Sequence, residues 1–132
     1  MDVVVDASAI IAVVLDEPEK AAIVAATEGA QLIAPPSLHW EVGNALAAMF
    51  RRHRISLSEA EAALDAYQQI VIRPVDVDLR ESLRLAHRFT TYAYDAYILA
   101  CALRYGSPLL SLDAKLKTVA TAAGVEVLEI GI

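Results

Sequence analysis

Asp6, Glu41, Asp95 and Asp113 are the residues whose type and placement could do chemistry. Asp6 follows directly on the β-branched run Val3-Val4-Val5, and Asp113 stands just after the apolar pair Leu109-Leu110. Asp95 falls in the first turn of the apolar stretch Ala93–Tyr105, and Glu41 in the first turns of a helix opening at Ser37. An acid at a helix start also complements the macrodipole, and Asp is a good N-cap. Asp6, Asp95 and Asp113, taken singly, therefore have that plainer reading too. Glu41 is harder to explain away. It sits among Leu38, Trp40, Val42, Ala45 and Leu46, where a charge is rare unless paired or bound to metal. Asn44, three residues on, is expected on the same helical face. Carboxylates gathered in one crevice stay ionised only with cations, and an all-oxygen set selects Mg²⁺ or Mn²⁺ over zinc. His39, His53 and His87 are scattered and show no ligand spacing. Ser8 and Ser111 neighbour the acids. Their hydroxyls could order metal-bound water or contact a substrate, or could equally serve as turn and cap residues.

The elements that must position these residues alternate along the chain. Short strands are expected at Val3–Val5, Gln31–Ala34, Val71–Val75, Leu109–Leu110 and Val125–Leu128. Helices are expected to Leu15, over Glu19–Thr27, from an N-cap at Ser37 to about His53, and from a capping box at Ser58–Glu61 to about Ile70. Three more cover Asp78–Phe89, Ala93–Tyr105 (closed by Gly106) and Asp113–Ala123. Pro74 puts the third strand at a sheet edge or at its own end. Apolar strands alternating with helices call for a mostly parallel sheet covered on both faces. In such sheets a ligand crevice lies beyond the carboxyl ends of the strands, where Asp6 and Asp113 stand.

Composition bounds the rest. The 132 residues suit one domain, residues 1–132, without linker or repeat. Hydrophobic residues make up 57% and the net charge is −6, which excludes intrinsic disorder and a conventional basic nucleic-acid module. Cys101 is the single cysteine, so it forms no internal disulfide and reads as a small buried hydrophobe in a reducing compartment, the cytoplasm. No run is long and apolar enough to span a membrane, and the start lacks a basic n-region for a signal peptide.

The motifs now acquire a resemblance. Val3-Val4-Val5-Asp6-Ala7-Ser8-Ala9-Ile10, Glu41-Val42-Gly43-Asn44-Ala45-Leu46, Tyr94-Asp95-Ala96-Tyr97-Ile98-Leu99-Ala100 and Leu110-Ser111-Leu112-Asp113 follow one another in order. So arranged, they resemble the motifs of PIN-domain ribonucleases over essentially the whole chain. The compact length and Tyr-Asp-Ala-Tyr are most similar to the VapC toxins of VapBC toxin–antitoxin pairs. The resemblance implies a three-layer α/β/α fold with a central sheet of four to five strands. It implies that Asp6, Glu41, Asp95 and Asp113 hold one or two Mg²⁺ or Mn²⁺ ions, with Asp6 and Asp95 as the direct ligands, for hydrolysis of an RNA phosphodiester. Ser8, Asn44 and Ser111 would support that site. Some members carry a further acid after the fourth motif; here Asp113 is followed by Ala114-Lys115-Leu116-Lys117.

A VapC-like chain would also bind a VapB-like antitoxin and form a homodimer. Leu38, Val42, Leu46, Met49, Phe50, Leu57, Leu64 and Tyr67 on two adjacent helices offer either a groove for an antitoxin helix or ordinary core. Arg51, Arg52 and Arg54, and the stripe Arg80, Arg84 and Arg88, could contact phosphates or be solvated helix faces. Two alternatives stand beside the nuclease. One is a catalytically inactive PIN-fold binding module. The other is a receiver-type signalling domain, which would want an acidic pair where Asp6 stands alone.

Overall fold

The computed structural model describes residues 1–131. Its elements run β1 (Asp2–Val5), α1 (Ala7–Val14), α2 (Lys20–Ala26), β2 (Gln31–Ala34), α3 (Leu38–Arg51), α4 (Leu57–Gln69), β3 (Ile72–Pro74), α5 (Leu79–Phe89), α6 (Ala93–Tyr105), β4 (Leu109–Leu110) and α7 (Ala114–Ala122). The strands form one parallel sheet in the order β3-β2-β1-β4.

Strand alternation builds the layers. Successive side chains on a strand point to opposite faces. Val3, Val5, Ala34 and Leu110 pack with α1, α2, α3 and α4 on one face. Val4, Ile33 and Leu109 pack with α5, α6 and α7 on the other. Every one of these strand residues is essentially inaccessible to water, as a sheet covered on both faces requires. The outcome is the expected three-layer α/β/α sandwich.

The order also locates the site. The chain lays β2 and β3 on one side of β1 and then returns to place β4 on the other. The reversal makes the carboxyl ends of β1 and β4 the switch point where open α/β sheets bind ligands. A receiver domain has the order 2-1-3-4-5, so this topology sets that alternative aside.

Three details differ from the sequence reading, and one choice it left open is resolved. Val125–Leu128 does not form a fifth strand. Only an isolated bridge joins Val127 to Leu109, with Leu109 N–H donating to Glu126 O (2.8 Å) and Leu128 N–H to Leu109 O (2.9 Å). β4 has just two residues and offers too little edge for a longer ladder. The capping box lies at Ser56–Glu59 rather than Ser58–Glu61. The earlier start puts Ile55 and Ala60, both in the core around α1, at the positions of a hydrophobic staple. Ser37 is not an N-cap by its side chain; its backbone is already helical and its buried hydroxyl oxygen has no partner. Leu38, Val42, Leu46 and Tyr67 are core, because α3 and α4 pack against α1. That leaves mainly Phe50, Leu57 and Leu64 exposed from the suggested groove. Pro74 does lie at the end of an edge strand, and Cys101 is buried with its thiol pushed up to about 12 by desolvation.

Candidate active site

Asp6 is the pivot. It is 5% exposed and sits one residue past β1, so the strand's burial drags it inward. Three hydrogen bonds hold its carboxylate: Ser8 Oγ to Oδ1 (2.7 Å), Ala9 N–H to Oδ1 (3.1 Å) and Ser111 Oγ to Oδ2 (2.6 Å). The Ala9 contact makes Asp6 the N-cap of α1. The plainer capping reading is therefore true of this residue. Burial pushes its pKa up, opposed by the Ser111, Ser8 and Ala9 hydrogen bonds, with the charge of Asp113 adding to the rise.

The two serines bind β1 to β4 across the switch point. Ser8 Oγ lies 3.3 Å from Ser111 Oγ and accepts from Leu112 N–H at 2.8 Å. Ser111 Oγ accepts from Asp113 N–H at 3.0 Å. Asp113 is exposed and caps α7 by accepting from Leu116 N–H at 3.1 Å.

Glu41 enters from the first turn of α3 and Asp95 from the first turn of α6. Glu41 is half-buried, and its Oε1 is shut off from water without any hydrogen-bond partner. Its pKa is raised to about 7, by desolvation first and then by the charges of Asp6 and Asp95. Asp95 is pushed up by burial and by Asp113, and held back by a 3.2 Å hydrogen bond from Thr91 Oγ1 and by Lys115. These mutual influences put Asp6, Glu41, Asp95 and Asp113 in one electrostatic neighbourhood.

Asn44 is exposed, not on the inner stripe of α3, yet it lines the same cleft as Glu41. That cleft, about 540 Å³, is walled by Ala7, Trp40, Ala45, Tyr92, Tyr94 and Asp95. Among the described residues, no three His, Cys, Asp or Glu side chains already stand within reach of one ion. The donor set nonetheless fits a hard divalent cation. It is all carboxylate, Asp6 is held from outside by neutral hydroxyls, and Glu41 presents a buried oxygen that lacks a partner.

Sequence reasoning missed Thr91, whose bond to Asp95 depends on where α6 begins, and the aromatic rim of Trp40, Tyr92 and Tyr94. The rim residues come from two distant segments, and only the fold juxtaposes them.

A family model for the PIN domain matches residues 3–122. No match is found among curated proteins. Among solved structures, a protein of Pyrobaculum aerophilum (PAE2754) is similar at 23% identity and TM-score 0.68, over 94% of this chain and 90% of that one. VapC20 of Mycobacterium tuberculosis, described as a sarcin-ricin loop cleaving toxin, is similar at 16% identity and TM-score 0.67, over 96% of this chain and 98% of that one. At these identities the two likenesses are of fold.

Proposed function

The chain belongs to the PIN domain family, and from that premise we propose that it is a metal-dependent endoribonuclease acting as the toxin of a VapBC-type pair. The observation that carries the reading is the convergence of carboxylates at the β1–β4 switch point, with Asp6 fixed by three hydrogen bonds and Glu41 Oε1 left without a partner. The fold likeness to VapC20, a toxin described as cutting the sarcin-ricin loop, supports RNA as the substrate.

Asp6 and Asp95 would hold Mg²⁺ or Mn²⁺ directly, with Glu41 and Asp113 completing the set. Such an ion, when bound, supplies a water of lowered pKa and offsets charge on the phosphate being cut. The chain's own groups do the positioning. Ser8, Ser111 and the Ala9 amide occupy three of the roughly four lone-pair sites of Asp6, fixing the carboxylate in one orientation. Thr91 does the same for one oxygen of Asp95. Glu41, with its pKa near 7, can hold or release a proton around neutral pH.

The decisive experiment incubates the protein with RNA in Mg²⁺, Mn²⁺ or EDTA. Cleavage is expected only with metal, and Asp6→Asn should lower it by more than about 100-fold, since even outer partners of metal ligands are worth 10–100-fold. Circular dichroism should show the variant folded. Cleavage by Asp6→Asn at the wild-type rate rejects the reading. A second reading, a PIN-fold module without activity, is favoured by one observation: no three acids among the described residues stand ready around an ion. Wild-type protein that is inert in both metals selects it.

The remaining proposals concern partners and place: a VapB-like antitoxin, a homodimer and a cytoplasmic location. No helix among the described residues is long and apolar enough to cross a membrane. Co-purification with the product of an adjacent small reading frame, and the mass in solution, test the first two.

A further inference from the structure

The acidic cleft has an aromatic rim that metal chemistry does not require. Trp40 is 71% exposed, Tyr92 78% and Tyr94 51%, and all three line the cleft beside Glu41 and Asp95. Large aromatic side chains are normally buried for their area. Three at the mouth of one polar site form a patch of the kind that marks a binding surface. Tyr94 is braced edge-on by Tyr97, with ring centroids 6.0 Å apart at 82°. Lys115 Nζ lies 5.9 Å from the centroid of the Tyr92 ring.

Tyr92 is also a shared wall. On its far side lies a second cavity, of about 530 Å³, lined by Ala86, His87, Thr90, Thr91, Tyr92 and Lys115. This second cavity adds the Lys115 ammonium and the Thr90 hydroxyl, while the Thr91 hydroxyl is already donated to Asp95.

We propose that Tyr92, with Trp40 and Tyr94, stacks unpaired bases beside the cleaved bond, and that the cavity of Lys115 and Thr90 receives the adjoining phosphate. The ligand is a single-stranded segment of RNA. Every base has a π-face that an exposed aromatic ring can stack, whatever the sequence. In a duplex those faces are occupied, and an A-form helix offers side chains mainly its backbone and minor groove. An ammonium group and a hydroxyl are donors a phosphate takes. The proposal deepens the nuclease reading and rests on it for the identity of the cleft.

Trp40 is the chain's one tryptophan, so its fluorescence reports on the cleft directly. A single-stranded RNA of about ten nucleotides, within the span such grooves bind, is titrated in EDTA and, read immediately on mixing, in Mg²⁺. The same strand annealed to its complement is the comparison. The single strand should change Trp40 emission saturably in at least one condition, and the duplex should do so far more weakly. Tyr92→Ala should weaken single-strand binding about 5- to 150-fold, which is 1–3 kcal/mol per stacked base at about 1.4 kcal/mol per tenfold. Tyr92→Phe should stay within about twofold of wild type, because stacking needs only the ring. Lys115→Gln should reduce the salt slope of log affinity by about 0.7, one phosphate contact on a single strand.

The proposal is overturned by equal binding of duplex and single strand, by wild-type affinity in Tyr92→Ala, or by no emission change in either condition. Failure here is distinct from failure of the nuclease reading. Metal-dependent cleavage with Tyr92→Ala binding like wild type removes the stacking role and keeps the enzyme. Tyr92-dependent binding without cleavage in any metal does the reverse.

Discussion

Asp6 and Glu41 are both carboxylates withdrawn from water, and they meet burial differently. Asp6 is compensated by Ser8, Ala9 and Ser111; Glu41 is not compensated at Oε1. A carboxyl whose pKa rises from 4.5 to about 7 on folding binds more protons in the native state than in the unfolded one across that interval. Stability of the metal-free protein should therefore fall as pH rises from about 4.5 to 7. Glu41→Gln removes that burden. Without metal at pH 8 it should be more stable than wild type, on the order of 1–2 kcal/mol, and the difference should vanish near pH 4, where Glu41 is neutral in both states. Wild type should gain stability with Mn²⁺ at pH 8 and Glu41→Gln much less. Urea melts at the two pH values, with and without Mn²⁺, check all of this. Equal stability of the two proteins at pH 8 without metal would sink it. The acids were legible in the sequence because each stands at a strand end or helix start, or, for Glu41, breaks an apolar stretch. Thr91 was not legible, since a threonine before a helix is unremarkable until its hydroxyl is found on Asp95.

At the scale of elements, the joint between α5 and α6 carries strain. Thr90 ends α5 with φ of +50°, in the left-handed region. A β-branched residue there is an outlier, whereas Gly106, at the corresponding end of α6, adopts φ of +58° at no such cost. The strained residue sets the entry of Thr91 and Tyr92 into the site, and strain of this kind gathers at functional positions. Thr90→Gly should raise stability by about 0.5–1 kcal/mol, the relief of strain less the entropy glycine loses on folding. A denaturant melt that instead shows destabilisation would mean that contacts of the Thr90 side chain outweigh its backbone cost. The strands β1 and β2 could be read nearly to the residue, because their side chains are all apolar or nearly so. Val125–Leu128 has the same look and fails as a strand, since ladder length is decided by the partner edge and β4 presents only two residues. The cap of α4 was misplaced for a related reason. Ser56 and Ser58 each precede a glutamate by three positions, and the choice between them falls to tertiary packing of Ile55 and Ala60.

At the scale of the whole molecule, the sheet divides the apolar excess into two cores, and α6 is nearly swallowed by one of them. Ile98, Leu99, Ala100, Cys101 and Ala102 are all buried. Leu99→Ala should cost about 2–5 kcal/mol, the range for a fully buried leucine whose site cannot collapse, measured as the loss of urea stability. A cost under about 1 kcal/mol would mean that this core is loosely packed. The net charge of −6 is largely the expense of the cleft: without Asp6, Glu41, Asp95 and Asp113 the chain is close to neutral. Fold class and the acids that gather at the cleft were thus legible from periodicity and placement. The aromatic rim was not, because it depends on the crossing of α3 with the α5–α6 joint.

The bond from Ser111 to Asp6 spans 105 positions of sequence. Asp6 is therefore translated well before Ser111. Until β4 has been synthesised and inserted beside β1, one oxygen of Asp6 has no hydroxyl to orient it. A nascent or prematurely terminated chain lacking that segment cannot complete its own carboxylate centre. For a chain that would cut RNA, the arming step is thereby deferred until β4 and Ser111 have been translated.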